Sequence, residues 1–402
     1  MAIPYVVQQG DTWLRIAARY GIHTTALHMA NPQLQEAPYL IPGQVMYVPY
    51  RPDNVYLIQE RDTFYEIARR FQIPIQQLLN ANPSVDPRHL KIGQSMVIPL
   101  TKSGDIVRVD AEYGPAQLME DSARLCEQYP FLRRYIIGYS VMGKPIIAMR
   151  IGTGDRKVHA NGAVHANEWI TTPILMKYIE QYAKAYRAGG TWGSVDPQEC
   201  YQRNSLWIVP MVNPDGVELS QEGITPSHPY YRSLLQWNGG SYQFMRWKAN
   251  IRGVDLNDQF PAHWEEERDR RGKRGPGPKD YTADGPLREP EAVALAEFTR
   301  AHQFDMVLSL HSQGEEIYWN YRDYEPAESE AIARRFAQAS SYRSVKLSGS
   351  DAGYKDWFIQ EFRRPGFTIE VGMGMNPLPI QQFQSIYQDV SGILTEALCC
   401  SS

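Results

Sequence analysis

Hydrophobic positions in the first hundred residues fall in short blocks that recur at an offset near 50, and such self-similarity is read before any single element. Tyr5-Val-Val-Gln-Gln-Gly-Asp-Thr-Trp-Leu-Arg-Ile-Ala-Ala-Arg-Tyr answers Tyr56-Leu-Ile-Gln-Glu-Arg-Asp-Thr-Phe-Tyr-Glu-Ile-Ala-Arg-Arg-Phe. Ala30-Asn31-Pro32 answers Ala81-Asn82-Pro83, and Ile41-Pro-Gly-Gln-Val-Met-Tyr-Val-Pro49 answers Lys91-Ile-Gly-Gln-Ser-Met-Val-Ile-Pro99. Each copy predicts strand, helix, helix, strand. Asp11 or Thr12 caps a first helix that turns Ile16 and Ala17 inward, and a second helix carries Leu27 or Leu78 and stops at Asn-Pro. Arg61 stands where the first copy has Gly10.

Segments at 50–54 and 101–105 read as linkers, and beyond them the pattern changes. Val158–Val164, Leu206–Val212, Met306–Leu310 and Phe367–Val371 are short apolar strand candidates. Ile174–Ala188, Glu289–His302, Pro326–Ser340 and Leu378–Leu398 have helical length and period. Alternation of this kind predicts an α/β domain with a mostly parallel sheet covered by helices. The expected division is 1–50, 54–100 and 105–402.

Composition narrows the classes. A chain of 402 residues, 43% hydrophobic, can build a sizeable core and has the length of two or three domains. Its formal charge of -4 excludes the global basic field of a nucleic-acid binder. The basic cluster from Arg268 to Lys279 is broken by acids, Gly and Pro and reads as a solvated loop. Four cysteines, two of them adjacent at Cys399 and Cys400, make no disulfide framework and have no metal-site spacing. No run reaches the ~18 apolar residues of a membrane span, and the chain as given opens without a conventional export signal.

Chemistry concentrates at strand ends. His165-Ala-Asn-Glu168 directly follows the strand candidate ending at Val164, and Trp169 begins a helical stretch. An imidazole and a carboxylate three residues apart at a strand end can face one ion, as catalytic zinc sites require with three protein ligands and one exchangeable position. Alone, an H-x-x-E string is more often ordinary polar surface or core. His311 follows a second apolar strand and Glu370 ends a third, so four such groups lie where α/β sheets place their sites.

The tandem repeat, over residues 5–49 and 56–99, resembles the LysM module. That resemblance implies βααβ domains that bind N-acetylglucosamine-containing glycans such as peptidoglycan. The later motifs, His165-x-x-Glu168, Asn213-Pro-Asp-Gly216, Gly253-Val-Asp-Leu-Asn257, His311-Ser312 and Phe367-Thr-Ile-Glu370, resemble in their order those of the zinc carboxypeptidase family over about 105–398. The resemblance implies an α/β/α fold and one zinc ion on His165, Glu168 and His311. Glu370 then matches the general base of amide hydrolysis, serving a water and a carbonyl activated by the ion. It also implies a cation at the developing oxyanion. The family's Arg is replaced by Lys248, with Arg252 or Arg246 as substitutes, although a Lys lacks the planar fork of Arg.

Asn257 and the residue after it match the family's clamp on a terminal carboxylate, but an Arg there is replaced by Asp258. An acid repels a carboxylate and favours an ammonium or an amide, which argues against ordinary carboxypeptidase action. The family's Tyr is absent from its expected place, held by Ser348; Tyr354 and Tyr342 lie nearby. Together with the Glu370-Val-Gly-Met-Gly-Met-Asn-Pro-Leu-Pro379 segment, the paired modules resemble γ-D-glutamyl-L-diamino acid peptidases of spore-forming bacteria. The expected activity is hydrolysis of peptidoglycan stem peptide between γ-D-Glu and meso-diaminopimelate or Lys. A carboxypeptidase trimming C-terminal residues and a non-catalytic glycan-binding adaptor are the alternatives. The location is either inside the cell, in sporulation or peptide recycling, or at the wall after removal of a signal.

Overall fold

A computed structural model of the chain describes residues 2–20, 24–34, 39–49, 55–58, 62–70, 75–82, 85–87, 89–91, 94–98, 105–192 and 195–399. The linker at 50–54, the first four residues of the second linker, Arg61 and Cys400 lie outside the described residues. Contacts divide the chain into two compact units, 1–105 with 110–112 and 106–109 with 113–402.

In the first unit each repeat builds a small core, and Val97 of the second repeat joins that of the first. β1 (Ala2–Val6) pairs antiparallel with β2 (Val45–Pro49), and β3 (Val55–Leu57) with β4 (Ser95–Val97). Helices Trp13–Tyr20 and Thr24–Met29 pack in the first, Phe64–Arg70 and Ile75–Ala81 in the second. The cap falls to threonine: Thr12 Oγ1 accepts from Arg15 N and Thr63 Oγ1 from Glu66 N, both at 3.1 Å. The preceding aspartates instead accept the phenols of Tyr5 and Tyr56, at 2.5 and 2.6 Å, and so tie each first strand to its helix.

Asn31 and Asn82 do more than stop a helix. Each buried side chain donates to a helix carbonyl, Leu27 or Leu78, and spans to the last strand through paired bonds to Tyr47 or Val97. Asn82→Ala strips Val97 N, Val97 O and Leu78 O of a partner, and each buried polar group so orphaned costs about 1–3 kcal/mol. The expected result is faster amide exchange at Val97 in the variant.

The second unit is built on an eight-stranded mixed sheet in the order β11-β10-β12-β9-β7-β8-β6-β5. These strands are β5 (Arg133–Tyr139), β6 (Pro145–Ile151), β7 (Arg156–Asn161), β8 (Asn204–Val209), β9 (Met306–His311), β10 (Glu316–Tyr318), β11 (Arg343–Val345) and β12 (Gly366–Glu370). The central β12, β9, β7 and β8 run parallel, whereas β5, β6 and β10 join antiparallel neighbours. A period of two sorts the strand residues between two cores. Val158, Ala160, Leu206, Ile208, Met306, Leu308 and Leu310 meet helices Thr171–Ala188 and Phe383–Cys399. Trp207, Val209 and Val307 meet helices Pro290–His302 and Tyr354–Phe362 on the opposite face.

Three expected elements end differently, each for a local reason. β7 stops at Asn161 because Gly162 passes close to the helix beyond, where a Cβ would lie 2.8 Å from Thr171 Oγ1, and Ala163 N donates to that hydroxyl. Asn213-Pro-Asp-Gly216, which follows the strand candidate Leu206–Val212 and by its Pro and Gly reads as a turn, opens a helix instead. Asn213 accepts from Gly216 N at 3.0 Å and caps helix Pro214–Glu222, with Pro214 at its first position. The segment from Leu378 opens with a 3-10 turn at Ile380–Gln382 before helix Phe383–Cys399.

Candidate functional site

After β7 the chain leaves the sheet, and His165 and Glu168 come to lie over the end of β9, which terminates in His311. All three are buried. His165 Nδ1 lies 2.8 Å from Glu168 Oε1, His311 Nδ1 lies 3.0 Å from Glu168 Oε2, and the two Nδ1 atoms are 3.1 Å apart. One donor atom from each falls within a 4.8 Å cluster, the only such cluster among the described residues. Two ring nitrogens and a carboxylate at these separations match ligands round one small cation. Bonds of 2.0–2.1 Å in a tetrahedron place zinc ligands about 3.3 Å apart. The donor set and its burial fit a metal site.

Each of the three side chains is oriented from behind, as metal ligands require. His165 Nε2 faces Asp255 Oδ1 at 3.2 Å, and Asp255 Oδ2 is 3.1 Å from Lys248 Nζ. His311 Nε2 faces Ser309 Oγ at 3.2 Å. Glu168 accepts from Ser312 N at 3.2 Å and more distantly, at 3.4 Å, from Asn376 Nδ2. Asn376 is itself locked on Ser312, donating to its carbonyl at 2.7 Å and accepting its hydroxyl at 2.8 Å. Asp255 and Asn376 lie inside the Gly-Val-Asp-Leu-Asn and Met-Asn-Pro strings, which were the signals available for them.

Electrostatics separate the two glutamates. Burial alone raises Glu168, but the two imidazoles outweigh it and bring its pKa down to about 2. Glu370 is in register with His311 on the neighbouring strand. Burial raises it to about 7; His311 and Lys248 pull it down while the Glu168 and Glu316 carboxylates push it up. Desolvation works against the Lys248 ammonium, yet Asp255, Asp258 and Glu168 raise its pKa and hold it charged.

The substrate-side expectations divide. Lys248 belongs to the site, whereas Arg252 is 45% exposed and pairs with Glu289 at 3.6 Å, and Arg246 is exposed. Asn257 Oδ1 accepts from Tyr354 N at 3.3 Å. Asp258 is buried and engaged by Arg271, with contacts of 2.8 Å to Nε and 3.0 Å to a terminal nitrogen. Arg271 also reaches Glu267 at 2.7 Å and Asp280 at 3.2 Å. The basic cluster is therefore not simply a solvated loop. Its first part, from Arg268, is the end of helix Trp264–Arg271, where Arg270 and Arg271 sit among buried carboxylates. Tyr354 and Tyr342 are buried, the former bonded to Thr299 and the latter accepting from Gly372 N.

Residues 119–391 match the family model for zinc carboxypeptidases. The chain belongs to the zinc carboxypeptidase family. Residues 5–49 and 56–99 match the LysM domain, so this family member carries two such modules ahead of the peptidase domain. It is 42% identical to Gamma-D-glutamyl-L-diamino acid endopeptidase 1 of Lysinibacillus sphaericus, over 85% of this chain and 99% of that protein. It is 37% identical to the uncharacterised protein YqgT of Bacillus subtilis, over 81% and 84%. In fold it resembles carboxypeptidase A of Helicoverpa armigera, with a TM-score of 0.55, 16% identity and coverage of 92% and 93%. It likewise resembles bovine thrombin-activatable fibrinolysis inhibitor in complex with tick carboxypeptidase inhibitor, with a TM-score of 0.56, 18% identity and coverage of 72% and 96%. No helix among the described residues is long and apolar enough to cross a membrane.

Proposed function

We propose that this protein hydrolyses the amide between γ-D-Glu and a diamino acid in peptidoglycan stem peptides. LysM modules at 1–50 and 54–100 would hold a catalytic domain at 105–402 near N-acetylglucosamine-containing glycan. The observation that carries the reading is the closed Asp258–Arg271 pair beside Asn257. A C-terminal exopeptidase needs an unpaired cation there for the terminal carboxylate, and here a buried acid has replaced it and taken its own arginine. The full-length likeness to an endopeptidase of γ-D-glutamyl bonds supports the same choice. Because Arg271 occupies the Asp258 carboxylate, Asp258 shapes this region through Arg271 and does not present a bare charge to an ammonium.

His165, Glu168 and His311 would hold zinc, which when bound polarises the scissile carbonyl and makes a water more acidic. Glu370 takes the proton of that water and delivers it to the departing amine. Lys248 presents a charged Nζ with three donors, of which Asp255 engages one. The others can meet negative charge developing on the carbonyl oxygen. Asp255 holds both His165 and Lys248, so ligand and oxyanion cation share one support.

Glu370 works as a base only when ionised, so activity rises with pH through its titration. Its pKa near 7 is set by burial beside other carboxylates, and a bound dication lowers it. The acid limb of kcat/KM is expected at or below about pH 7, and a midpoint clearly above it would exclude Glu370 as the titrating group.

The deciding experiment is mass spectrometry of L-Ala-γ-D-Glu-meso-diaminopimelate-D-Ala digested by zinc-loaded protein. Release of L-Ala-D-Glu is expected. Release of D-Ala alone identifies a carboxypeptidase, and an uncut peptide with bound glycan identifies an adaptor.

A further inference from the structure

The sheet gathers a second row of polar groups behind the metal ligands. β7 and β9 are in a register that pairs Asn161 with Ser309, and β7 and β8 pair His159 with Trp207. Alternation puts His159, Asn161, Ser309 and His311 on one face. All four are at most 3% exposed. Their contacts form a chain. His311 Nε2 lies 3.2 Å from Ser309 Oγ, which lies 2.8 Å from Asn161 Oδ1. Asn161 Nδ2 lies 3.3 Å from His159 Nε2, and His159 Nδ1 lies 3.1 Å from the carbonyl oxygen of Trp207.

Such a chain could run in two directions on heavy-atom positions alone, but chemistry admits one. The Trp207 carbonyl only accepts, so His159 Nδ1 carries the proton. Burial keeps that ring neutral, its pKa pushed down to about 3. Its bare Nε2 therefore accepts from Asn161 Nδ2, which turns Asn161 Oδ1 toward Ser309. The serine gives its proton to Oδ1 and offers His311 Nε2 a lone pair. Nε2 then holds the ring proton, and Nδ1, facing His165 and Glu168, is left bare for a cation. Reversal would set two acceptors, His159 Nδ1 and the Trp207 oxygen, against each other in a dry site. The chain also opposes Glu168, whose carboxylate 3.0 Å away draws a proton onto His311 Nδ1.

We propose that His159, Asn161 and Ser309 are positioning residues that set the tautomer of His311, with the direction imposed by the Trp207 carbonyl. This rests on the reading of His165, Glu168 and His311 as a metal site.

Two measurements on the full chain test it. Long-range proton–nitrogen correlation spectra of zinc-loaded, histidine-labelled protein are expected to show His159 protonated at Nδ1 only. Protonation at Nε2 reverses the chain and overturns the proposal. In chelator competition, Ser309→Ala is expected to weaken zinc binding about 10- to 100-fold, while Ser309→Thr, which keeps the hydroxyl, restores it. Equal affinity of wild type and Ser309→Ala overturns the proposal, as does failure of the threonine rescue. Glu168→Ala serves as the separate control. If it binds zinc as tightly as wild type, the metal-site reading falls, whatever the tautomer of His159.

Discussion

The Glu370→Gln protein keeps its metal and loses hydrolysis by about 100- to 10,000-fold, the usual range for removing a positioned general base. Glutamine fills the same volume on β12 but cannot take a proton. The strand is fixed against β9 over five paired positions, Gly366 with Val307 through Glu370 with His311, so the change is chemical and not conformational. Steady-state kinetics on the tetrapeptide, with zinc content measured on the same samples, checks it. A variant within tenfold of wild type would remove Glu370 from the role of base.

Glu168→Ala is expected to do more, because it dismantles the site itself. Both oxygens of this carboxylate are in use, Oε1 toward His165 and Asn376, Oε2 toward His311 and Ser312 N. Its removal takes one of the three groups proposed to hold zinc and leaves the Ser312 amide and the Asn376 side chain short of an acceptor. Activity should fall to background and tight zinc binding should vanish. Stability changes by mass action: a ligand at 1,000 times its Kd stabilises the folded state by about 4 kcal/mol. Chelation should therefore lower the Tm of the wild type and leave that of Glu168→Ala almost unmoved. Equal lowering of both would mean that the metal binds elsewhere.

Residue pattern alone carried the large features. Two copies of one strand-helix-helix-strand unit, the α/β class of the larger C-terminal domain, and the set of His165, Glu168, His311 and Glu370 were legible because each is written in local terms. Apolar period is a property of neighbours in the chain, and His311 and Glu370 end strands that the period itself marks, while His165 and Glu168 follow a few residues past one. The departure at Asp258 was legible for the same reason, as one residue out of place in a short motif.

The surroundings of those residues were not legible. Asp258 reads as a bare negative charge until Arg271, thirteen positions on, closes on it. Asn82 reads as a helix stop until the fold brings Val97 to its amide. Ser309 and Asn161 are separated by 148 positions and bond at 2.8 Å only because β7 and β9 lie side by side. Hydrophobic period determines which elements form and which face each turns inward. It says nothing about which strand becomes whose neighbour or in what register. Hydrogen-bond partners, the tautomers they select and the pKa values they set depend on contacts within about 3 Å, and those distances exist only once the chain has folded.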